Sequence, residues 1–588
     1  MVAAIAATLL AIFYTEENWR GKRAWENCRR QLEAKGAVLD WAAYIPPTVP
    51  DASNIFKAPM MSEWFSRNKK DLKFANNADE RTKELRTDMW SGHSPDARVA
   101  ANRNKSNDVV IAEITIVPPT AKVDSRQGDA LVQFADPGTP ELIRRLLRER
   151  VGPVAGGVLG GAYNYSARPP SQIKPLRLLL AAEPAPDKAQ IAAMFPTNTL
   201  APASMHLHPD CHLDLQSGES NTFRVWLNPP PCPAAEFLAG NRTAEKDFEL
   251  MRQGLARPYA RMEGDYEKPV AGPLPDFITL RVVAQTLGER TQCYLLLNQP
   301  EAALRELTLL HELRFLMEGK PPGRPITLVA AMINVAIKGL YTGVIADGLR
   351  LHAWQEPQLA AIQQQLQEVD LLGPFYISIE SERAGICRTL EITKPADLSK
   401  LFYLDPAPDD PIWKRLQSAR YWASWGPRGW VYENCATLAN QSERFLQALD
   451  LTNRIINAGQ IKTASEESQA NQKRFSPYKF LAVIALPNYL KATTVTARNQ
   501  TMANEALVAC ALERYRLAHQ EFPASLAALV PQYLQKVPAD LIGGKPLKYR
   551  RNGEGRYVLY SVGWNGVDDG GVAGRAIDEG DWVWEGGE

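Results

Sequence analysis

The sequence has few cysteines and almost no net charge. Among 588 residues there are seven cysteines, and no two of them form a C-x-x-C pair, so neither a disulfide framework nor a zinc ribbon is indicated. Lysine and arginine number 67 against 66 aspartates and glutamates, which gives a formal net charge of +1. Because binding to nucleic acid needs a concentrated basic surface, this balance argues against DNA or RNA as a partner.

Motifs of the common enzyme classes are also missing. The glycine-rich stretch at residues 156–161 lacks a following Lys-Ser or Lys-Thr, so it cannot contact phosphates as a P-loop does. His311 and Glu312 begin like a zinc-protease helix, but Phe315 stands where the second histidine is needed. No G-x-S-x-G elbow is present. We therefore predict a protein without enzymatic activity.

The composition is that of a folded chain with several domains. Hydrophobic residues make up 45% and charged residues 23%, and 43 prolines indicate long irregular connections. We predict a multidomain α+β fold with five regions. They are an N-terminal helix with a membrane anchor (1–35), a proline-rich irregular region (36–108), a mixed α/β region (109–275), a helical, repeat-like region (276–490) and a C-terminal module with a helix and a β-hairpin (491–588).

An apolar run opens the chain. Residues 2–14 carry no charge, and Thr8 is their polar break. As a helix the run spans about 20 Å, which is shorter than the roughly 30 Å hydrocarbon core of a bilayer. We predict one long helix over residues 1–35 whose first part is a membrane anchor, and we leave open whether its true start lies upstream of Met1. The alternative is a helix buried in the protein core, which would leave a soluble helical-repeat scaffold.

The helical pattern continues beyond this run. Trp25, Cys28 and Leu32 are three and four residues apart, and Gly36 follows as a stop signal. Five basic residues follow the apolar run, and the positive-inside rule would place their side of the membrane in the cytoplasm. They are Arg20, Lys22, Arg23, Arg29 and Arg30.

The middle of the chain changes character at about residue 276. Before it, residues 109–117, 176–182 and 222–227 have the β-branched composition of strands, and residues 139–151 have the pattern of a capped helix. Beyond it, residues 280–297 and 301–317 predict an αα-hairpin that resembles one tetratricopeptide repeat, although no 34-residue period recurs. By analogy, we expect this helical region to bind protein partners.

Two clusters of polar residues in these regions could carry chemistry. His206, His208, Cys211 and His212 lie within seven residues and could bind zinc or another transition metal, although no standard zinc spacing is present. The alternative is a polar loop with hydrogen-bonded histidines, which we favour. Glu380, Glu382 and Arg383 have helical spacing, and we predict a helix-face ion pair or a solvated surface there.

The C-terminal module has several ordered elements. Residues 504–519 form an amphipathic helix whose inward stripe is Leu507, Cys510, Ala511, Arg514, Tyr515 and Ala518. Residues 557–562 are a strand, and the Asn552-Gly553 turn connects it to the strand before it as a β-hairpin.

This module resembles the C-terminal domain of the major pseudopilin of type II secretion systems (general secretion pathway protein G). The resemblance covers about 85 of 588 residues. It does not include a prepilin peptidase site, and Leu541-Ile542 replaces the usual Pro-Trp, so we expect a pseudopilin-like module attached to a larger bacterial protein. The matching residues are Ala511-Leu512-x-x-Tyr515-Arg516, Pro523-x-x-Leu526-x-x-Leu529, Tyr557-x-x-Tyr560-Ser561-x-Gly563, the loop from Asn565 to Gly571, and Ile577-Asp578 to Trp582.

The resemblance implies a calcium ion in the acidic loop after Gly563. Hard oxygen ligands on a flexible, glycine-rich loop are what calcium coordination requires. The alternative is a solvated acidic tail, although Trp564, Trp582 and Trp584 indicate that the loop packs on the hairpin. The candidate ligands are Asn565, Asp568, Asp569, Asp578 and Asp581.

Together these features predict a membrane-anchored, non-enzymatic bacterial envelope protein. The resemblance implies that the bulk of the chain lies on the periplasmic side of the inner membrane, with a role in secretion or envelope assembly. The rival function is a metal-dependent enzyme that uses the histidine cluster.

Overall fold

The protein is mostly helical in the part of the chain that the structure describes. This computed structural model is 64% helical with a few small sheets, which supports the predicted α+β class at that level. The described residues are 1–65, 109–117, 121–126, 129–134, 176–181, 204–207, 211–216, 221–227, 234, 237–238, 241–269, 272–321, 327–394, 397–398, 426–472, 476–552, 555–574 and 576–587.

Thirteen helices are described within these residues. Short 3-10 turns, such as Trp41–Tyr44 and Ile55–Lys57, connect some of them. The helices are α1 (Val2–Glu33), α2 (Pro59–Phe65), α3 (Glu245–Leu255), α4 (Phe277–Leu296), α5 (Pro300–Glu312), α6 (Phe315–Glu318), α7 (Leu328–Arg350), α8 (Glu356–Gln367), α9 (Leu372–Ile392), α10 (Arg428–Leu446), α11 (Ala458–Gln472), α12 (Phe480–Ala485) and α13 (Tyr489–His519).

Local capping residues set several helix boundaries. Asp276 accepts hydrogen bonds from the backbone N–H groups of Ile278 and Thr279 at the start of α4, and Thr327 caps α7 in the same way. Pro300 opens α5, where its missing N–H costs nothing. Helices α4 and α5 lie on the two sides of the short connection before Pro300 and form the predicted αα-hairpin.

The predictions for α1 and α13 are confirmed only in part. Helix α1 extends over the predicted residues, and Trp25, Cys28 and Leu32 are buried. Helix α13 begins at Tyr489 rather than at Asn504, and Ala518 is exposed instead of facing inward. Its inward stripe is shorter than predicted because the last turn of the helix extends beyond the segments that cover it.

Seven strands are described between residues 109 and 227. The predicted strands over residues 109–117, 176–182 and 222–227 are present, whereas the helix predicted over residues 139–151 lies outside the described residues. One sheet has the order β4-β1-β7-β6, with β1 parallel to β4, and an antiparallel sheet has the order β2-β3-β5. The strands are β1 (Val109–Val117), β2 (Ala121–Arg126), β3 (Asp129–Phe134), β4 (Leu176–Ala181), β5 (Ser204–Leu207), β6 (Cys211–Gln216) and β7 (Asn221–Leu227).

The C-terminal strands belong to the same core as the helical region. A two-stranded ladder, β8 (Leu449–Asp450) and β9 (Ile455–Ile456), follows α10. Strands β10 (Lys548–Asn552) and β11 (Arg556–Ser561) form the predicted hairpin, and β12 (Trp582–Gly587) pairs antiparallel with β11. Trp584 packs in one hydrophobic cluster with side chains of α4 to α8 and α13, so the C-terminal sheet shares its core with these helices.

Candidate functional site

The first turns of α1 extend into solvent with apolar side chains. Leu9 is 63% exposed and Ile12 is 56% exposed, and Ile5, Leu10 and Phe13 are also exposed. The alternative of a buried core helix is therefore wrong for residues 2–13. The sequence could not decide this, because a helical apolar run has the same pattern whether protein or another medium covers it.

Aromatic rings surround the end of this apolar run. The ring of Phe13 lies edge-on to Trp430 with centroids 6.4 Å apart, and Trp430 lies edge-on to Tyr478 at 6.0 Å. The Trp430 indole N–H donates to Glu17 over 2.8 Å. Trp19, on the next turn of α1, is 61% exposed. We call Phe13, Tyr14, Trp19, Trp430 and Tyr478 the aromatic collar.

Basic side chains follow the aromatic collar along the helix. The guanidinium of Arg20 lies 4.7 Å from the centre of the Tyr478 ring, and that of Arg23 lies 5.1 Å from the Trp19 ring. The order along α1 is therefore apolar, aromatic and then basic. Membrane proteins place these residue types in this order where hydrocarbon gives way to headgroups and water.

The body of the protein fixes the orientation of α1. Gly21 of α1 and Gly429 of α10 meet at a close helix crossing, and the Gly429 N–H donates to the Asn18 side chain over 2.9 Å. Farther along, Trp25 and Cys28 pack against Cys435 and Leu438 of α10. The apolar end of α1 is therefore held in a defined direction.

Two described helical segments are long and apolar enough to cross a membrane. They are Leu328–Arg350 and Phe480–His519, and the apolar 18-residue stretches within them are 61% and 44% buried inside the protein. Helix α1 is not one of them. These two segments are only weak evidence of membrane association, because core helices of soluble proteins have the same length and composition.

The acidic C-terminal loop is organised around Asp581. This carboxylate is 1% exposed and accepts hydrogen bonds from the backbone N–H groups of Asp569 and Gly571 at 3.2 Å and 2.6 Å. The Asn565 side chain donates to the Asp569 carboxylate over 3.1 Å. Three of the five predicted calcium ligands are therefore connected by hydrogen bonds.

The other two predicted ligands lie apart from this network. Asp568 accepts hydrogen bonds from the Gly570 N–H and the Tyr560 hydroxyl and pairs with Lys548 at 3.2 Å. The Gly570 N–H and Lys548 hold the pKa of Asp568 below its ordinary value. Asp578 is exposed. Among the described residues, no three acidic, histidine or cysteine side chains form a metal-binding group.

The described residues of the histidine cluster belong to different sheets. His206 lies in β5, opposite Leu131 of β3, while Cys211 and His212 lie in β6, opposite Leu227 and Trp226 of β7. His208 lies outside the described residues. The described members of this candidate transition-metal site therefore lie in strands of two different sheets.

Glu380 and Arg383 of α9 are buried and Glu382 is half-buried, so the prediction of a solvated surface is wrong. Arg383 is 0% exposed and donates to Glu443 of α10 over 2.7 Å, and Glu380 lies 3.7 Å from the same guanidinium. The predicted ion pair within the helix is therefore present, but a partner on another helix is closer. Glu382 accepts a hydrogen bond from the Leu328 N–H over 2.9 Å.

A buried polar cluster between α5 and α7 was not predicted. The Lys338 ammonium is 3.0 Å from both Nδ1 and the carbonyl oxygen of His311, and burial lowers the pKa of Lys338. Burial also raises the pKa of Glu318, which accepts from Asn334 over 2.5 Å. Because Lys338 and His311 lie on different helices, no local sequence pattern could have indicated this cluster.

Comparisons with known proteins give no match. No protein-family model matches the chain, and neither a curated protein nor a solved structure is significantly similar to it.

Proposed function

We propose that this is a non-enzymatic bacterial protein that helix α1 anchors in the inner membrane, with its bulk on the periplasmic side. The single observation that supports the anchor is the exposed apolar end of α1 behind its aromatic collar. The periplasmic side follows from the pseudopilin resemblance of the C-terminal module. A role in secretion or envelope assembly is part of the same proposal.

The removal of the exposed apolar side chains of α1 from water would favour membrane insertion. Removing an aliphatic or aromatic side chain of this size from water contributes about 1.5–3 kcal/mol. Six such side chains are exposed on the run, namely Val2, Ile5, Leu9, Leu10, Ile12 and Phe13. Their insertion into hydrocarbon would place the aromatic collar at the interface, where amphipathic rings are favoured.

Co-sedimentation with phospholipid vesicles tests the anchor. The full chain should sediment with the vesicles, and the double substitution Leu9→Glu and Ile12→Glu should leave it in the supernatant. Leu517→Glu is a matched control, because Leu517 is an exposed apolar side chain on the last turn of α13. Equal sedimentation of the double variant and the control would overturn the proposal.

We further propose that the helical region contacts a protein partner through the groove between α4 and α7. Apart from Arg281, the described side chains that line this groove are apolar, and Ile278 is 42% and Leu340 is 37% exposed. A photo-crosslinker at Leu340 should give one adduct of defined mass, and Ile278→Glu should abolish it. An adduct that persists in that variant would count against the groove.

A further inference from the structure

A cavity of about 640 Å³ lies where α9, the start of α7 and two proline-rich connections meet. Its volume is in the range of pockets that hold small organic ligands. The walls are mainly apolar, with polar groups at a few positions. The apolar lining includes Trp41, Phe56, Tyr266, Met317, Ala330 and Pro487.

Among the described residues, two cations line this cavity, and each donates a hydrogen bond to a backbone carbonyl. Arg261 donates to the Pro46 carbonyl over 3.3 Å, and its guanidinium lies 4.9 Å from the centre of the Tyr266 ring. Lys320 donates to the Leu255 carbonyl over 2.8 Å. Each of these hydrogen bonds holds the cation against a backbone carbonyl of the wall and uses one of its N–H groups.

The two carboxylates of the cavity differ in their partners. Glu318 accepts a hydrogen bond from Asn334, and the Arg314 guanidinium lies 3.9 Å from its carboxylate. Glu382 accepts one hydrogen bond, from the Leu328 N–H, and forms no ion pair with any described residue. Burial raises the pKa of Glu382 to about 7. Glu382 is thus the wall carboxyl without a cationic partner.

We propose that this cavity binds a small apolar molecule with one protonated amine, and that the amine pairs with Glu382. An ammonium would donate a charge-assisted hydrogen bond to the carboxylate, which is stronger than a neutral one. The rest of the ligand would contact Trp41, Phe56 and Met317. The inference does not depend on the membrane anchor, because α1 does not line the cavity.

Fluorescence titration of the full chain with dansylcadaverine tests the proposal. The probe has an apolar fluorescent ring system and a primary amine, and its N-acetyl derivative is a neutral comparison. The wild-type chain should bind the amine at least tenfold more tightly than the acetylated probe. Glu382→Gln, which retains an acceptor for the Leu328 N–H, should bind both probes equally.

Two further variants complete the design. Glu466→Gln removes an exposed carboxylate on α11 and should leave the preference for the amine unchanged. Val329→Trp places a large ring at the cavity from a side chain that is 51% exposed, and it should weaken binding of both probes. Equal binding of the two probes to wild type, no binding of either, or unchanged binding in Val329→Trp would each overturn the proposal.

Discussion

Gly21 of α1 and Gly429 of α10 bring two helix backbones into direct contact. A Cβ atom added to Gly21 would lie 2.6 Å from the Gly429 Cα, and one added to Gly429 would lie 2.9 Å from the Asn18 Cα. Real Cβ atoms do not approach backbone so closely, so any side chain at either position would separate the helices. This crossing holds the apolar end of α1 on the rest of the protein.

Alanine at either glycine should therefore destabilise the contact between α1 and α10. We expect Gly21→Ala or Gly429→Ala to lower the free energy of unfolding by about 1–3 kcal/mol, the usual cost of overpacking. Gly343→Ala is the matched control, because the added Cβ would meet no atom within 4 Å. Alanine is preferred over glycine inside helices, so the control should be neutral or slightly stabilising. Urea unfolding monitored by circular dichroism measures all three changes.

Deletion of residues 1–15 should release the protein from the membrane fraction and leave it folded. The deleted side chains are mostly exposed, so their loss removes little packing from the core. We expect a thermal midpoint close to that of the full chain. A truncated chain that aggregates, or that has no thermal transition, would show that this segment is needed for folding.

The raised pKa of Glu382 should make the free energy of unfolding decrease as pH rises. Its pKa is raised to about 7 in the folded protein, whereas a carboxyl in the unfolded chain titrates near pH 4.3, as usual for glutamate. The folded state therefore binds more protons between these values, and stability is lost as pH rises through about 7. Because a shift of one unit corresponds to about 1.4 kcal/mol, the loss is at most about 3 to 4 kcal/mol.

The Glu382→Gln variant should lack this component of the pH dependence. Its stability relative to wild type should therefore increase between pH 5 and pH 8, as measured from urea midpoints at both values. Glu466→Gln, on the exposed face of α11, should show no such trend. Parallel pH profiles of wild type and Glu382→Gln would contradict the assignment.

Loss of Glu443 should be costly because it leaves the Arg383 charge buried. Arg383 has no exposed surface, and removing one partner of a buried ion pair typically costs about 3–5 kcal/mol. We expect Glu443→Gln to lower the free energy of unfolding toward that range. The exposed pair of Arg29 and Glu33 is the control, because Glu33→Gln should cost less than about 1 kcal/mol. Similar losses in the two variants would contradict a special role for burial.

Calcium should stabilise the protein if the acidic loop binds it as the pseudopilin resemblance implies. Binding to the folded state alone raises the thermal midpoint, and a chelator reverses the effect. Asp581→Asn should remove the calcium dependence. The variant should also lower the basal midpoint, because Asp581 accepts two backbone hydrogen bonds. Identical midpoints of the wild-type chain with calcium and with chelator would mean that the loop is held by hydrogen bonds alone.

Local patterns in the sequence identified several elements correctly. The β-branched composition of residues 109–117 predicted β1, and the turn at Asn552 predicted the hairpin of β10 and β11. Helical spacing predicted α4, α5 and the buried stripe of α1. These predictions depend on hydrogen bonds and faces that are set within a few neighbouring residues, so a single sequence carries the information.

Strand β12 and the true start of α13 were not predicted. Strand β12 forms because β11 offers an unpaired edge, and its two tryptophans enter hydrophobic clusters built from distant helices. The residues before Asn504 are helical where α13 packs against α7 and α9. In both cases the decisive partner is far away in the sequence.

The sequence by itself determined the local helices and strands, the apolar start of the chain and the absence of common catalytic motifs. Only the tertiary structure decided which of these faces are covered. It exposes the apolar end of α1, places Glu382 half-buried in the wall of a cavity, and brings Trp41 and Pro487 to the same cavity. The physical reason is that residue spacing specifies which side chains share a face, whereas burial depends on the segments that pack against that face, and these come from anywhere in the chain.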